Sequence, residues 1–362
     1  MTMATIQNHR IVIVGGSGGV GKTSISAALA IASALEGHRT LVLTIDPARR
    51  LAAALGLASI GPEAVDITDK LPETTPARGG QLHAMMLDVQ STMDRIVERY
   101  APSVERREAI LNNRLYRNVS TRLSGSQEYA AMQRLAEIAA SDQYDRVILD
   151  TPPSTHALDF LTAPQRLRAL FDSSLIKLFL ALGNRAGRGL FRMTDIVFRA
   201  LERLTGSIVI KDISEFFVLA ESILEPFNAQ SEQADQILRD AGTSFLIVTG
   251  PDARQLDDAQ TFQSRLKTMN INVGGMIVNR WTRPELDGIE IPDPTAQSDE
   301  LAEEVLFWGR RLEQQAVAQT AAIDQLQQNL DASLVRIPEM DTDIHSIEGL
   351  MQIVDRLEQE VD

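Results

Sequence analysis

Residues 15–24 read GGSGGVGKTS, set between the apolar run Ile11–Val14 and the Ala-rich segment Ile25–Leu35. The order is strand, glycine loop, helix. Gly16, Gly21, Lys22 and Thr23 fit G-x-x-x-x-G-K-[ST], the Walker A spacing. In that pattern backbone N–H groups and a helix N-terminus surround phosphates, the lysine neutralises the β and γ oxygens, and the hydroxyl reaches Mg²⁺. Ser17, Gly18, Gly19, Val20 and Ser24 complete the set expected around the phosphates. A glycine turn that happens to carry a lysine is the plain alternative, and the flanking strand and helix argue against it.

Outward from the loop, the chain alternates strand and helix. Arg39–Ile45 reads as a buried parallel strand, β-branched and apolar, that ends in Asp46-Pro47. Acids at the carboxyl ends of such strands stand on the rim where open α/β sheets bind ligands, which makes Asp46 a candidate site residue. Leu51–Leu57 continues as a short helix, 61–80 as a loop rich in Pro, Thr and Gly, and Gln81–Asp88 as a strand. Residues 89–139 are helical in period, broken around Gly125. Tyr144–Asp150 is the next buried strand and again ends in an acid, the partner a phosphate-binding loop needs to orient Mg²⁺ or its waters. In the following TPPSTHAL segment, His156 is open to a catalytic reading or to that of a positioned loop residue. Strands over Thr243–Gly250, Val273–Asn279 and Ser333–Ile337 alternate with helices over Leu256–Met269, Glu300–Gln328 and Ile347–Gln359.

These elements predict an α/β fold, a mostly parallel P-loop NTPase sheet with helices on both faces and an inserted helical subdomain. The expected division is a core over 1–163, with a helical segment at about 89–140, a helical subdomain over 164–240, and a second part of the core over 241–362. The insert is dense in apolar residues with arginines interleaved. It suits ordinary core packing of amphipathic helices first, with a groove for an apolar client or a membrane surface as the alternative. The Gly- and Arg-rich run at 183–189 suits a loop able to reorder.

Composition narrows the function. With 362 residues and 44% hydrophobic content the chain can build a large core. A net charge of −14 argues against a general affinity for nucleic acid, which needs clustered Lys and Arg. There is no cysteine, so disulfides, thiolate metal sites and cysteine nucleophiles are excluded. No secretion segment and no apolar run of ~20 residues is present, so a cytoplasmic protein is expected, with peripheral membrane contact left open.

The segments GGSGGVGKTS, LTIDPARRL at 43–51, VILDTPPSTHAL at 147–158, FLIVTG at 245–250 and MIVN at 276–279 together resemble the ArsA-like ATPases. That family includes the arsenite-efflux ATPase and the GET-pathway factor for tail-anchored membrane proteins, and is related to MinD and ParA. The resemblance covers nearly the whole chain. It implies ATP/ADP and Mg²⁺ as cofactors and a homodimer with nucleotide at the interface. It also implies that the insert stands where the family binds a client protein. By the same resemblance Lys22 and Thr23 hold phosphates and Mg²⁺, and Asp46, in the first switch, orients or activates the attacking water and stands with Thr23 and Asp150 among the metal candidates. Asp150 supports Mg²⁺ and opens a second switch that runs to His156. Asn279 reads adenine, and the turn at Ile337-Pro338 lies near the base. Asn279-Arg280-Trp281-Thr282 departs from the guanine-reading N-K-x-D at both diagnostic positions.

Two departures from the family pattern matter. Where the family commonly reads GKGGVGKT, with a lysine that reaches the partner's nucleotide, this chain has Ser17. A hydroxyl cannot supply an ammonium's charge, so another cation substitutes or hydrolysis is slow. Arg49 and Arg50 are the nearest candidates in sequence to contact phosphate. Without cysteine, thiolate coordination of arsenite and a zinc-bridged dimer are both impossible, and any dimer must rest on packing and nucleotide. The expected function is a Mg²⁺-dependent ATPase switch. The alternative is a nucleotide-binding regulatory or scaffold protein with little hydrolysis; a kinase or ligase finds no acceptor motif.

Overall fold

The computed structural model describes residues 8–46, 50–72, 79–122, 126–152, 162, 207–284, 300–330, 332–340 and 344–359. Eight strands form one sheet: β1 (Ile11–Gly16), β2 (Arg39–Thr44), β3 (Val65–Asp66), β4 (Gln81–Met86), β5 (Arg146–Asp150), β6 (Thr243–Thr249), β7 (Val273–Trp281) and β8 (Leu334–Pro338). Their order is β3-β4-β2-β5-β1-β6-β7-β8. Every pairing is parallel except β3 with β4 at the edge. The mostly parallel α/β sheet expected from the sequence is therefore observed. The edge strand β3 was expected to be loop; its two exposed residues carry no apolar pattern, and only backbone pairing to β4 makes them a strand.

The chain clusters into two compact units. One comprises Met1–Met86, Tyr144–Ala157 and Arg239–Asp362; the other comprises Leu87–Gln143 and Leu158–Leu238. The first holds the sheet. Its strands are apolar on both faces, as a strand covered on both sides must be. Val12, Val14, Val42, Ile148, Leu246, Val248 and Ile277 point to one side and join a core with helix α1 (Lys22–Leu35) and the terminal helix, Ile347–Gln359. The alternate positions point the other way, where the Gly15 Cα faces the ring of Phe262. Helix α1 forms because nine of its positions are Ala, Leu or Ile, and it is buried almost all round.

The second unit is helical. Between 89 and 140 four helices form among the described residues, over Val89–Tyr100, Val104–Leu111, Arg114–Arg122 and Ser126–Ala140; the break expected around Gly125 falls at 123–125, outside them. Asp88 caps the first by accepting from the Ser91 N–H at 2.5 Å, and Ser103 caps the second by accepting from Arg106 N–H. These helices and a 33-residue helix, Ser207–Arg239, share a core of Met93, Ile96, Ile110, Tyr129, Phe216 and Ile223. Arg106 donates to the carbonyls of Val218 and Leu219 on that long helix. The helical segment expected within the core at about 89–140 thus clusters with 158–238. Of the insert expected over 164–240, residues 164–206 lie outside the described residues.

Candidate functional site

The glycine loop leaves the carboxyl end of β1 at the centre of the sheet and feeds α1. A Cβ on Gly16 would overlap the Val248 carbonyl of β6, so no other residue lets β1 turn into the loop at this place. Gly21 caps α1 with φ +88°, and a Cβ there would overlap the Asn279 amide. That amide donates to the Val20 carbonyl at 2.8 Å, tying the carboxyl end of β7 to the loop. Gly18 and Gly19 are exposed at the tip, while Val20 is buried beneath it.

Lys22, the first residue of α1, is buried. Its ammonium donates to the carbonyls of Gly16 at 3.0 Å and Ser17 at 2.7 Å, so it arches back over the loop that carries it. Burial lowers its pKa, against the opposing pull of Asp150. Thr23 donates to Asp150 Oδ2 at 2.8 Å, and Thr44, the last residue of β2, donates to the same oxygen at 2.9 Å. This convergence follows from register, since Asp150 sits opposite both Val14 of β1 and Thr44 of β2. The Asp150 carboxyl is pushed up to about 6, mainly by burial, and is held back by the Thr23 and Thr44 hydroxyls and the Lys22 charge. Its other oxygen, Oδ1, is buried with no hydrogen-bond partner.

Asp46 donates its backbone N–H to Thr44 Oγ1, and its carboxylate lies 3.3 Å from the Arg50 guanidinium at the start of a short helix, α2 (Arg50–Ala54). Arg280, just past Asn279, adopts φ +61°, and its guanidinium donates to the Gly19 carbonyl at 3.2 Å. Lys22, Thr23, Asp46, Arg50, Thr151 and Arg280 line one cavity of about 360 Å³, which Ser24 and His345 also border.

Of the residues expected from the sequence, Gly16–Ser24, Asp46 and Asp150 therefore meet at one place, and Asn279 braces the loop from below. Pro338 lines a different cavity of about 520 Å³, with Trp281, Thr282 and Met340. Arg49, His156 and the second switch beyond Pro152 lie outside the described residues. Ser17 is half-buried, and its hydroxyl has no hydrogen-bond partner. Sequence reading missed Thr44, although it precedes Asp46 by two residues, and Arg280, whose approach to Gly19 bridges 261 positions.

The donors suit a phosphate and a hard cation. Lys22 lines the cavity at the N-terminus of α1, and the oxygens near at hand for a cation are the Thr23 hydroxyl and the carboxylates of Asp150 and Asp46. Mg²⁺ takes one or two carboxylates and completes its shell with water and phosphate oxygen. Among the described residues no group of three or more His, Cys, Asp or Glu is placed to hold a metal ion.

A glycine loop between a central parallel strand and a buried helix, with a carboxylate at the end of the adjacent strand, defines a P-loop nucleotide-binding protein. A profile of the anion-transporting ATPases, the ArsA family, matches residues 9–359, and the chain belongs to that family. The chain is similar to the ATPase GET3C of Arabidopsis thaliana, at 26% identity over 77% of this chain and 68% of the relative. It is similar to the ATPase ASNA1 homolog of Cryptosporidium parvum, at 24% over 82% and 71%. A putative arsenical pump-driving ATPase of Prosthecochloris vibrioformis is 32% identical over 44% of this chain and 36% of its own length. No helix among the described residues is long and apolar enough to cross a membrane.

Proposed function

We propose that this protein is a Mg²⁺-dependent switch that binds and hydrolyses ATP, and that ATP-driven closure of a homodimer is coupled to its helical unit. The observation that carries the reading is the convergence of Thr23, Thr44 and Asp150 beside Lys22 at the mouth of the glycine loop. Phosphoryl transfer asks a protein chiefly for positioning and charge neutralisation. Lys22 needs only to swing from the Gly16 and Ser17 carbonyls to meet phosphate oxygen. Thr23 and Asp150 would hold Mg²⁺, which when bound supplies charge neutralisation at the β and γ oxygens. Asp46 would orient the attacking water and accept its proton, and a phosphate that draws Arg50 away would free its carboxylate. Adenine reading by Asn279 with Pro338 near the base would require the base to reach past the loop and the Asn279 amide to leave the Val20 carbonyl, since neither residue lines the loop's cavity.

The helical unit would bind an apolar client protein or membrane component, a reading the GET3 names of the relatives favour over nucleic acid. The pump-driving name does not transfer through thiolate chemistry, because this chain has no cysteine. The expected location is the cytoplasm, with possible recruitment to a membrane surface.

Ser17 favours a second reading, a nucleotide-dependent regulator or scaffold with little turnover, since its hydroxyl brings no charge to the phosphates. Phosphate release by the pure protein with ATP and Mg²⁺ separates the two. The switch reading expects turnover that falls by about a hundredfold or more in Lys22→Ala and in Asp46→Asn. Tight nucleotide binding by the unaltered chain with no release above the Lys22→Ala background establishes the second reading instead. Arg50→Ala and Arg280→Ala test what replaces the missing lysine: the one that supplies charge loses about tenfold in nucleotide affinity or turnover.

A further inference from the structure

Asn279 and Arg280 are consecutive residues of β7, yet both reach the glycine loop. The Asn279 amide donates to the Val20 carbonyl at 2.8 Å and the Arg280 guanidinium to the Gly19 carbonyl at 3.2 Å. In a regular strand successive side chains point to opposite faces, so one of the two would turn away. The strand register shows how both are kept. Asn279 stands opposite Ile337 and Trp281 opposite Pro338, which leaves Arg280 as the extra residue of a β-bulge, unpaired with β8. Its φ of +61° is left-handed, a conformation unfavourable for any residue with a Cβ. Bulges re-aim side chains beside functional sites, and this one turns a guanidinium into the cavity that Lys22, Thr23 and Asp46 line.

We infer that Arg280 binds phosphate in this site, and that it takes the α- and β-phosphates rather than the terminal one. The inference rests on the nucleotide reading above. The sheet order β2-β5-β1-β6-β7 gives the cavity two sides. Asp46 and Asp150 follow or end β2 and β5, on one side of the loop, and Arg50 is committed to Asp46 there at 3.3 Å. Those carboxylates would serve the cation and the attacking water, so the terminal phosphate belongs with them. Arg280 comes from β7, on the other side, and so faces the phosphates nearer the nucleoside. A guanidinium that leaves one carbonyl can meet two phosphate oxygens at once, a geometry an ammonium lacks.

Calorimetric titration of the full chain with ADP, ATP and tripolyphosphate, each with Mg²⁺, tests this. Arg280→Ala is expected to weaken all three about tenfold and by the same factor, with kcat for ATP hydrolysis unchanged to within about twofold. Arg280→Gln still offers the Gly19 carbonyl an amide donor but carries no charge, and should bind as weakly as Arg280→Ala. Arg280→Gly removes the left-handed strain with the side chain, so it should lose the same affinity while its urea midpoint stays at or above the parent's. A glutamine variant that binds as tightly as the parent makes Arg280 a brace for the loop and overturns the inference. A loss confined to ATP, with a fall in kcat, moves the contact to the terminal phosphate; a loss absent for tripolyphosphate moves it to the base or ribose; either result overturns it too. If all the Arg280 variants bind as the parent does, this inference falls and the nucleotide reading stands, whereas an unaltered chain that binds neither ADP nor ATP overturns both.

Discussion

Asp150 joins the fold to the chemistry of the site through a single ionisation. Its carboxyl lies at about 6 against a usual 3.8, with burial as the leading cause and the Thr23 and Thr44 hydroxyls and Lys22 opposing it. A carboxyl raised on folding contributes stability that is complete below pH ~3.8 and is lost as pH rises through about 6. At neutral pH the ligand-free chain therefore bears a strained carboxylate that a cation would relieve. Asp150→Asn is expected to stabilise the ligand-free chain near pH 7.5 by up to about 3 kcal/mol in urea unfolding while abolishing Mg²⁺-dependent nucleotide binding. A variant less stable than the parent at that pH would show that the Thr23 and Thr44 bonds outweigh the burial. For the unaltered chain, affinity for Mg²⁺–ATP should fall as pH drops through about 6. Thr44→Val removes a hydroxyl that favours the ionised form, so it should move that fall to higher pH; a calorimetric titration series between about pH 5 and 8 reads both curves.

At the scale of elements, the glycine loop divides into residues fixed by the sheet and residues fixed only by backbone conformation. Gly16 pairs with Val248, whose carbonyl a Cβ would strike, so Gly16→Ala should destabilise the chain by about 3 kcal/mol or more through the β1–β6 ladder. Gly19 has φ +79° and nothing within 4 Å of a Cβ, so Gly19→Ala should lose only about 1 kcal/mol. Comparable losses in urea unfolding would mean that the tip is packed, contrary to its exposure. The same division explains what the sequence made legible. The loop and the two strands ending in Asp46 and Asp150 were readable because apolar runs and glycine spacing are local signals. The breaks between Tyr100 and Val104 and between Leu111 and Arg114 were not, because short helices capped by Asp88 and Ser103 leave the amphipathic period nearly continuous. Arg280 was invisible because its partner lies on the loop at the other end of the chain.

For the whole molecule, the two units have separate apolar cores, one around β1 and α1 and the other around Tyr129 and Phe216. The site residues described above all belong to the sheet unit, so a bound nucleotide should report its free energy there first. Both tryptophans of the chain, Trp281 and Trp308, lie in that unit with Tyr144, whereas the other three tyrosines, Tyr100, Tyr116 and Tyr129, lie in the helical one. Tryptophan emission thus follows the unfolding of the nucleotide-binding unit by itself. With ATP and Mg²⁺ at about a hundred times the dissociation constant, linkage gives ~2.7 kcal/mol. For a unit of this size that should raise the emission-monitored midpoint by roughly 5–10 °C. Lys22→Ala should abolish the shift, and Trp308→Phe should preserve it because Trp281, at the end of β7, still reports the sheet. If the unaltered chain gains no shift with saturating ATP and Mg²⁺, the loop does not bind nucleotide in the folded protein, and the convergence of Thr23, Thr44 and Asp150 needs another explanation. If, in a Tyr144→Phe background that confines the tyrosines to the helical unit, their near-ultraviolet midpoint rises with the tryptophan midpoint by the same amount, the two cores unfold together. That cooperativity is what a switch requires if nucleotide bound in one unit is to govern the other.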